Sequence, residues 1–311
     1  MKKALLIILI VVFLILILFL PYIYQNRKQT LLPATDLSEV RYTDVSFKNK
    51  DLTLAGMLLL PGGKGPFTTV VFIHGSGTSQ RNSPWYVTVG KHLQDKGIAV
   101  LIPDKRGSEK SEGDWRQATF QDLAGDAIAA VDFVRTQKLF EFSDVGIMGF
   151  SQGGWIAPIV ATEDSGLAFV ISMSGPGVTT EEQLLYEEVN HISEYTYPLI
   201  ARLLAPLMAK SLEMSDWWKK ISGFDPVPYW RKVETPAFMA FGELDKNVPI
   251  EESVKRIRDL NRKNIQIRVY PKVRHGILFV DQTVRDDFFR DLDGFIRSFQ
   301  LPHIQAPGAG R

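Results

Sequence analysis

Gly149-Phe150-Ser151-Gln152-Gly153-Gly154 closes the apolar run Val145–Met148 and precedes residues that can form a helix. A serine with a glycine two positions before it and two positions after it, between a strand and a helix, is typical of a nucleophile elbow. The turn is so sharp that neighbouring side chains must be tiny. It lifts the Ser151 hydroxyl above the sheet edge and points the backbone N–H of Gln152 to where an oxyanion would form. The pattern also occurs by chance, so its meaning depends on the rest of the chain.

The composition is that of an ordinary globular protein, with 45% hydrophobic and 23% charged residues. A length of 311 residues suits one large α/β domain or two small ones. The net charge of +1 gives no reason to expect a nucleic-acid partner. The sequence has no cysteine, which excludes disulfides, thiolate metal sites and a cysteine nucleophile.

The N-terminus differs sharply from this average. Met1-Lys2-Lys3 precedes an unbroken apolar run from Ala4 to Leu20. As a helix this run would span about 26 Å, close to the hydrocarbon core of a bilayer. The apolar region of a signal peptide is usually shorter, and no small-x-small cleavage pattern follows in residues 18–30. The sequence therefore predicts an uncleaved membrane anchor over residues 1–24 and a linker over residues 25–39.

The charges beside the apolar run bear on its orientation. Lys2 and Lys3 favour an N-terminus inside the cell, whereas Arg27 and Lys28 nearly balance them. The expectation is a single-pass protein with its folded domain outside the cytoplasm.

From residue 40 the chain alternates between strand-like and helix-like patterns. Residues 41–47 and 52–60 can pair as antiparallel edge strands around the turn Asn49-Lys50-Asp51. Later β-rich runs are Thr68–Ile73, Ala99–Ile102, Val145–Met148, Ala168–Met173, Ala237–Phe241 and Ile265–Tyr270. Helical patterns such as Trp85–Lys96 and Asp122–Arg135 lie between several of them. The alternation predicts an α/β fold with a mostly parallel, doubly wound sheet, which binds ligands beyond the carboxyl ends of its strands.

One segment, from about residue 178 to residue 230, breaks the alternation. Its helical stretches are Glu181–Tyr195, Leu199–Leu212 and Asp216–Ile221. They predict a helical cap over the sheet, although a long helical connection packed on the core would give the same pattern. A cap would supply an apolar pocket wall, for which Met214, Trp217 and Trp218 are candidates. The predicted domain thus covers residues 40–300, and the Pro- and Gly-containing tail, 301–311, is expected to be flexible.

A serine hydroxyl is a poor nucleophile and needs a base to accept its proton, most often a histidine. Three histidines follow Ser151 in the sequence. His191 falls in the helical insertion and His303 in the tail. His275 follows the predicted strand Ile265–Tyr270, in a loop at a strand end, and is the predicted base.

The histidine in turn needs a carboxylate to fix its tautomer and to stabilise its charged form. Asp245 lies in the loop after the predicted strand Ala237–Phe241, one strand before the His275 strand, so the two loops can meet. Glu243 is a nearby competitor, and Asp225, in the helical insertion, is a weaker third choice.

An oxyanion hole needs a second N–H from an early strand-end loop. His74-Gly75-Ser76-Gly77 ends the apolar run Val70–Ile73, and its glycines let the backbone approach a substrate oxygen. The predicted donors are the N–H groups of Ser76 and Gln152. His74 is expected to brace the loop.

Five motifs in this order resemble the α/β-hydrolase superfamily, and most closely the bacterial esterases near the prolyl-oligopeptidase and dienelactone-hydrolase branches. The motifs are His74–Gly77, Pro103–Gly107, Gly149–Gly154, Gly242–Asp245 and Arg274–Gly276. The resemblance covers about residues 40–300.

The resemblance implies a Ser151, Asp245 and His275 triad with Ser76 and Gln152 as oxyanion donors. It implies a bacterial enzyme that cleaves carboxylic esters through an acyl-enzyme, without a metal or organic cofactor. The predicted anchor, which lies outside the resemblance, places this enzyme in the bacterial cell membrane, and the expected substrates are small-molecule or lipid-like esters. Asp104 and Arg106 match a loop that is mainly structural in relatives.

Three other functions stay open at this point. An aminopeptidase or amidase, and an acyltransferase or thioesterase, would use the same triad. An aminopeptidase should also show an acidic site for a substrate amine. A membrane-tethered binding module on an inactive hydrolase is the alternative from another class, and the complete set of serine, aspartate and histidine argues against it.

Overall fold

A single eight-stranded sheet runs through the computed structural model, which describes residues 8–13, 15, 34–278 and 283–299. The strands are β1 (Thr43–Asn49), β2 (Leu52–Leu59), β3 (Phe67–Ile73), β4 (Ala99–Pro103), β5 (Phe142–Phe150), β6 (Val170–Met173), β7 (Ala237–Gly242) and β8 (Ile265–Tyr270). Their spatial order is β1-β2-β4-β3-β5-β6-β7-β8. β2 pairs antiparallel with β1 and β4, and the other pairs are parallel. The mostly parallel α/β-hydrolase sheet predicted from the sequence is confirmed.

Helices connect these strands and cover both faces of the sheet. They are α1 (Pro84–Asp95), α2 (Phe120–Thr136), α3 (Gln152–Glu163), α4 (Thr180–Ser193), α5 (Pro198–Glu213), α6 (Asp216–Ile221), α7 (Val227–Lys232), α8 (Ile250–Arg258) and α9 (Asp286–Arg297). α4 to α7 follow one another between β6 and β7, over the segment for which the sequence predicts a cap.

The central strand β5 shows why the sheet needs helices on both faces. Side chains alternate along a strand, so Val145 and Ile147 join the apolar cluster that includes α2 and α3. Met148 and Phe150 join the opposite cluster, which includes α1 and α9. Burial on both sides explains why the parallel strands read as nearly continuous apolar runs.

Two of the helices begin at reciprocal caps that can be read from the sequence. Thr119 and Asp122 form the capping box of α2, and Thr179 and Glu182 form that of α4. The second cap fixes the point at which the chain leaves the sheet for the helical insertion.

Residues 8–13 are helical, and their side chains are exposed. Within the part of the chain that the structure describes, no helix has the length and apolar character needed to cross a bilayer. Most of the predicted anchor, the linker up to residue 33 and the predicted tail, 301–311, lie outside the described residues.

Candidate active site

The turn between β5 and α3 holds Ser151 in a backbone conformation that residues other than glycine rarely adopt, with φ of 49° and ψ of −112°. A Cβ atom on Gly149 would lie 2.2 Å from the Gly153 carbonyl oxygen. A Cβ atom on Gly153 would lie 2.2 Å from the Ile73 carbonyl oxygen. Neither position can hold a side chain, because backbone atoms occupy the space. The elbow therefore has the tight geometry that its sequence predicts.

Asp245 and His275 meet at the carboxyl edge of the sheet, in the loops after β7 and β8. His275 Nδ1 donates to Asp245 Oδ2 over 2.7 Å. The other carboxylate oxygen of Asp245 accepts from the backbone N–H groups of Asn247 (2.8 Å) and Val248 (3.0 Å). These bonds fix the buried carboxylate against the imidazole and leave Nε2 of His275 available for a proton.

The charge state of His275 depends on that partner. Burial of the imidazole lowers its pKa, but the charge and the hydrogen bond of Asp245 outweigh burial and hold the pKa above its ordinary value. The site therefore stabilises an imidazolium, which is the form that a general base reaches after it accepts a proton.

Ser151 and His275 line one cavity of about 310 Å³. Among the described residues, Ser151 and His275 form no hydrogen bond with each other; the imidazole bonds to Asp245. A contact between nucleophile and base often tightens only when substrate binds. Trp217 and Trp218 line this cavity, as their sequence position predicts. Met214 is not a lining residue; its side chain is 69% exposed, because the junction between α5 and α6 points it outward.

The two predicted oxyanion donors border the same cavity. Gln152 is the first residue of α3, where N–H groups have no acceptor within the helix, and Ser76 follows the loop residue Gly75. Gly75 donates its N–H to the Tyr86 hydroxyl over 2.9 Å. Its backbone is thus held on one side by α1.

Lys105 holds the other side, and the sequence analysis missed it. Its Nζ donates to the Gly75 carbonyl oxygen and to Gln152 Oε1, each over 2.8 Å. The side chain is only 7% exposed, and burial lowers its pKa from 10.5 to about 7. The available signal was a lysine at the carboxyl end of β4, which lies next to β3 in the sheet.

His74, Asp104 and Arg106 have partners away from the nucleophile. The buried His74 donates from Nε2 to the Pro103 carbonyl oxygen, and burial lowers its pKa to about 4, so it is neutral. Asp104 accepts from Arg81 Nε and Nη2, at 2.8 and 2.7 Å, in a buried pair. Arg106 binds Asp126 on α2. None of the three lines the cavity with Ser151.

The competing acids lie apart from His275. Glu243 is exposed and accepts from the backbone N–H of Lys272 over 3.0 Å. Asp225 accepts from the backbone N–H of Val227 at the start of α7. His191 is on α4 beside Tyr195, and His303 lies outside the described residues.

A second cavity, of about 500 Å³, adjoins the first and shares His275, Asn247 and Glu187 with it. Its acidic side chains are Glu187, Glu188 and Glu194. Burial raises the pKa of Glu188, the nearby His191 opposes this, and the negative charge of Glu187 adds to it. Across the residues that the structure describes, no three acidic or histidine side chains are grouped to hold a metal ion.

The sequence profile of the prolyl oligopeptidase family matches residues 84–299, which include the elbow, the Asp245 loop and the His275 loop. The chain belongs to the prolyl oligopeptidase family. By family it is a serine hydrolase, and the resemblance to the esterases near this branch is confirmed.

Individual relatives are distant. Esterase EstD of Thermotoga maritima is 25% identical over 251 residues, which are 74% of this chain and 60% of that protein. The acylamino-acid-releasing enzyme of Homo sapiens is 24% identical over 87% of this chain and 36% of its own length. The chain thus spans less than two thirds of either relative. A solved structure of the Pyrococcus furiosus esterase Pf2001 has a TM-score of 0.65 at 19% identity, over 86% of this chain and 96% of that one, and shares the fold.

Proposed function

We propose that this chain is a membrane-tethered serine hydrolase that cleaves carboxylic esters. The observation that carries the proposal is the Asp245–His275 pair, which lies at the cavity that the elbow serine also lines. The similarity to Esterase EstD supports an ester as the substrate, since that relative is named as an esterase.

The proposed reaction begins when Ser151 Oγ attacks the ester carbonyl carbon and His275 Nε2 accepts the hydroxyl proton. Asp245 stabilises the imidazolium, and the N–H groups of Ser76 and Gln152 bind the tetrahedral oxyanion. The carbon–oxygen bond to the alcohol then breaks, and His275 gives the proton to the leaving alkoxide. Water, activated by the same histidine, adds to the acyl-enzyme, and release of the acid restores Ser151. Protein groups and water suffice for each step, so no metal or organic cofactor is proposed.

The cavity wall suits an apolar acyl group. Trp217, Trp218 and Ile221 on α6 and Leu184 on α4 line the cavity that Ser151 also lines. At about 310 Å³ the cavity is at the small end of ligand pockets, which hold from about 300 to 1,000 Å³. Short acyl esters, or the end of one lipid chain, are the proposed substrates.

The second cavity beside His275, which three glutamates line together with Lys246 and Arg274, supports a second candidate, an aminopeptidase or amidase on the same catalytic residues. Glu187 and Glu188 offer negative charge to a substrate amine in this cavity, which the tryptophans do not line, whereas Glu194 is paired with Lys246. The similarity to the human acylamino-acid-releasing enzyme agrees with an amide substrate. The Glu188→Gln variant should then turn over a substrate with a free amine more slowly than the wild type does, and an uncharged ester at the same rate.

The apolar run at residues 4–20 supports a membrane location. We propose a single-pass protein of the bacterial cell membrane with the hydrolase domain outside the cytoplasm. Protease added to intact cells would degrade that domain; a domain that is cleaved only after lysis would contradict the orientation.

The enzymatic proposal is tested with Ser151→Ala in the full chain, on p-nitrophenyl acetate and butyrate. Ser143→Ala is a matched control, because Ser143 lies at the opposite end of the same strand. We expect Ser151→Ala to lose essentially all turnover and Ser143→Ala to keep it. Unchanged turnover in the folded Ser151→Ala protein would refute the assignment. Faster cleavage of alanine p-nitroanilide than of either ester would favour the amide candidate.

A further inference from the structure

The helix α5 of the cap exposes its largest apolar side chains. Leu199, Leu203 and Leu207 are spaced by four residues, so they share one side of the helix, and we call them the leucine face. They are 71%, 69% and 69% exposed. The buried side of α5 consists instead of Ala201, Ala205 and Ala209.

This arrangement is the reverse of that in a helix built only for a protein core, in which leucines face inward. More exposed apolar side chains continue the surface along α5 and its ends: Tyr197, Leu204, Met208, Leu212 and Met214. A contiguous exposed apolar patch of this kind marks a surface that binds a protein or a membrane.

The helix that carries the leucine face packs against two helices that line the active-site cavity. α5 packs against α4 and α6. Leu184 on α4 and Trp217 and Trp218 on α6 form walls of the cavity that contains Ser151. Whatever covers the leucine face is therefore one helix away from the walls of the proposed acyl pocket.

The chain enters the domain at the same edge of the sheet. The backbone N–H of Thr35 donates to the carbonyl oxygen of Asn82 over 2.9 Å. Asn82 lies in the loop between the carboxyl end of β3 and the start of α1, and the cap also follows carboxyl strand ends. Residues 21–34 join this point to the apolar run, and even fully extended they reach at most about 50 Å. The proposed anchor thus limits how far this edge of the sheet can lie from the bilayer.

We propose that the leucine face docks on the phospholipid bilayer that holds the anchor, so that the active-site cavity opens at the membrane surface and takes amphiphilic, lipid-like esters. The inference rests on the proposed function, both for the anchor and for ester cleavage. Arg202 and Lys210 on α5 are exposed, and their long side chains can place their charges among the headgroups while the leucines enter the apolar layer.

The lack of cysteine allows a direct test in the full chain. Leu203→Cys carries an environment-sensitive fluorophore on the leucine face. Leu139→Cys is the matched control, because Leu139 is a 57% exposed leucine before β5, at the opposite edge of the sheet. In phosphatidylcholine vesicles that contain nitroxide-labelled lipid, we expect the label at 203 to lose most of its fluorescence and the label at 139 to keep it.

Three results would overturn the docking. The nitroxide-labelled lipid could quench the label at 203 as weakly as the label at 139. The labels at 203 could quench one another across two copies, which would mean that a second copy covers the face. The label at 203 could be shielded from both lipid and aqueous quenchers in a monomer, which would mean that another segment of the chain covers it.

An activity measurement adds a second readout. In Leu203→Gln/Leu207→Gln we expect unchanged turnover of soluble p-nitrophenyl acetate and a loss of about 10-fold or more on an ester embedded in vesicles, since two leucine side chains no longer favour the bilayer. Equal activity of this variant and the wild type on the embedded ester would contradict the proposal.

The same experiments separate this inference from the function on which it rests. A wild-type chain that does not float with vesicles refutes the anchor, and docking with it. A chain that floats but whose label at 203 stays unquenched refutes docking alone. A chain that cleaves neither ester refutes the enzymatic proposal, while the lipid quenching still decides whether the leucine face docks.

Discussion

Replacement of Lys105 by methionine removes the amine that joins the two sides of the proposed oxyanion hole in the described structure. Methionine keeps an unbranched chain of similar size but has no donor. It abolishes the 2.8 Å hydrogen bonds to the Gly75 carbonyl oxygen and to Gln152 Oε1. Ser76 follows Gly75 directly, so both proposed N–H donors lose a support while the donors themselves stay in place.

The size of the effect on turnover has an upper and a lower bound. Complete loss of one oxyanion donor costs about 3–4 kcal/mol of transition-state stabilisation. A hydrogen bond from a charged donor contributes about 1.5–3 kcal/mol. Because the Lys105→Met change loosens the donors without removing them, we expect kcat to fall by about 10- to 100-fold.

The effect on folding should be much smaller. Burial lowers the Lys105 pKa from 10.5 to about 7, which corresponds to roughly 5 kcal/mol against the charged amine. Removal of the amine relieves this penalty. The stability gained in this way offsets the cost of leaving two oxygens without a hydrogen-bond donor, which is about 1–3 kcal/mol for each oxygen. The melting temperature should therefore change little.

The assay is steady-state turnover of p-nitrophenyl butyrate beside thermal unfolding of the same preparations. Lys110→Met is the matched control, since Lys110 is an exposed lysine in the same loop. We expect kcat to fall and KM to stay nearly constant in Lys105→Met alone. An unchanged kcat in a folded Lys105→Met protein would refute the positioning role, and a loss of kcat that only follows a lower melting temperature would show a structural one.

Three further predictions concern the triad, the elbow and the pH dependence. Asp245→Asn should lower kcat by about 10³- to 10⁴-fold, because an amide favours the wrong tautomer of His275, while Glu243→Gln should leave kcat unchanged. Gly153→Ala should destabilise the fold by about 2 kcal/mol or more in urea unfolding, because its Cβ would lie 2.2 Å from a backbone oxygen; Gly294→Ala, which meets nothing within 4 Å, should not. Protonated His275 cannot act as a base, and its pKa is raised above 6.5, so kcat/KM should fall as the pH drops through that raised pKa. In Asp245→Asn this acid-side fall in kcat/KM should occur at a lower pH, because the carboxylate that raises the pKa is gone.

The lowered pKa of Lys105 also predicts the direction in which the free energy of unfolding changes with pH. Between pH 7 and pH 10.5 the unfolded chain holds a proton that the folded chain has lost. The free energy of unfolding of the wild type should therefore gain a contribution that rises with pH across this window. Lys105→Met should lack that contribution in urea unfolding at several pH values, and an identical slope in both proteins would contradict the burial of a titrating amine.

Much of the site could be predicted because its signals are local. The elbow carries its own glycines, and the apolar runs that end at the Asp245 and His275 loops mark strand ends without any tertiary information. Lys105 could not be found in this way, since its role depends on β4 lying beside β3, which pairs with β5 on its other side. That order is set by long-range packing.

The cap shows the same division between local and tertiary information. Helical spacing predicts helices close to α4, α5 and α6, and Trp217 and Trp218 do line the cavity. Met214, the third candidate, does not line this cavity, because the direction in which a side chain at the end of a helix points depends on tertiary packing. The leucine face of α5 was missed for a related reason: the spacing of leucines does not say which side of a helix the core takes.

Covalent labelling tests the central claim, that Ser151 is the activated nucleophile, most directly. The full chain is treated with a fluorophosphonate, and the modified peptide is mapped by mass spectrometry. We predict a single adduct on Ser151, absent from Ser151→Ala and formed far more slowly in His275→Gln. A folded wild-type protein that stays unlabelled, or that is labelled on another residue, would contradict the triad assignment.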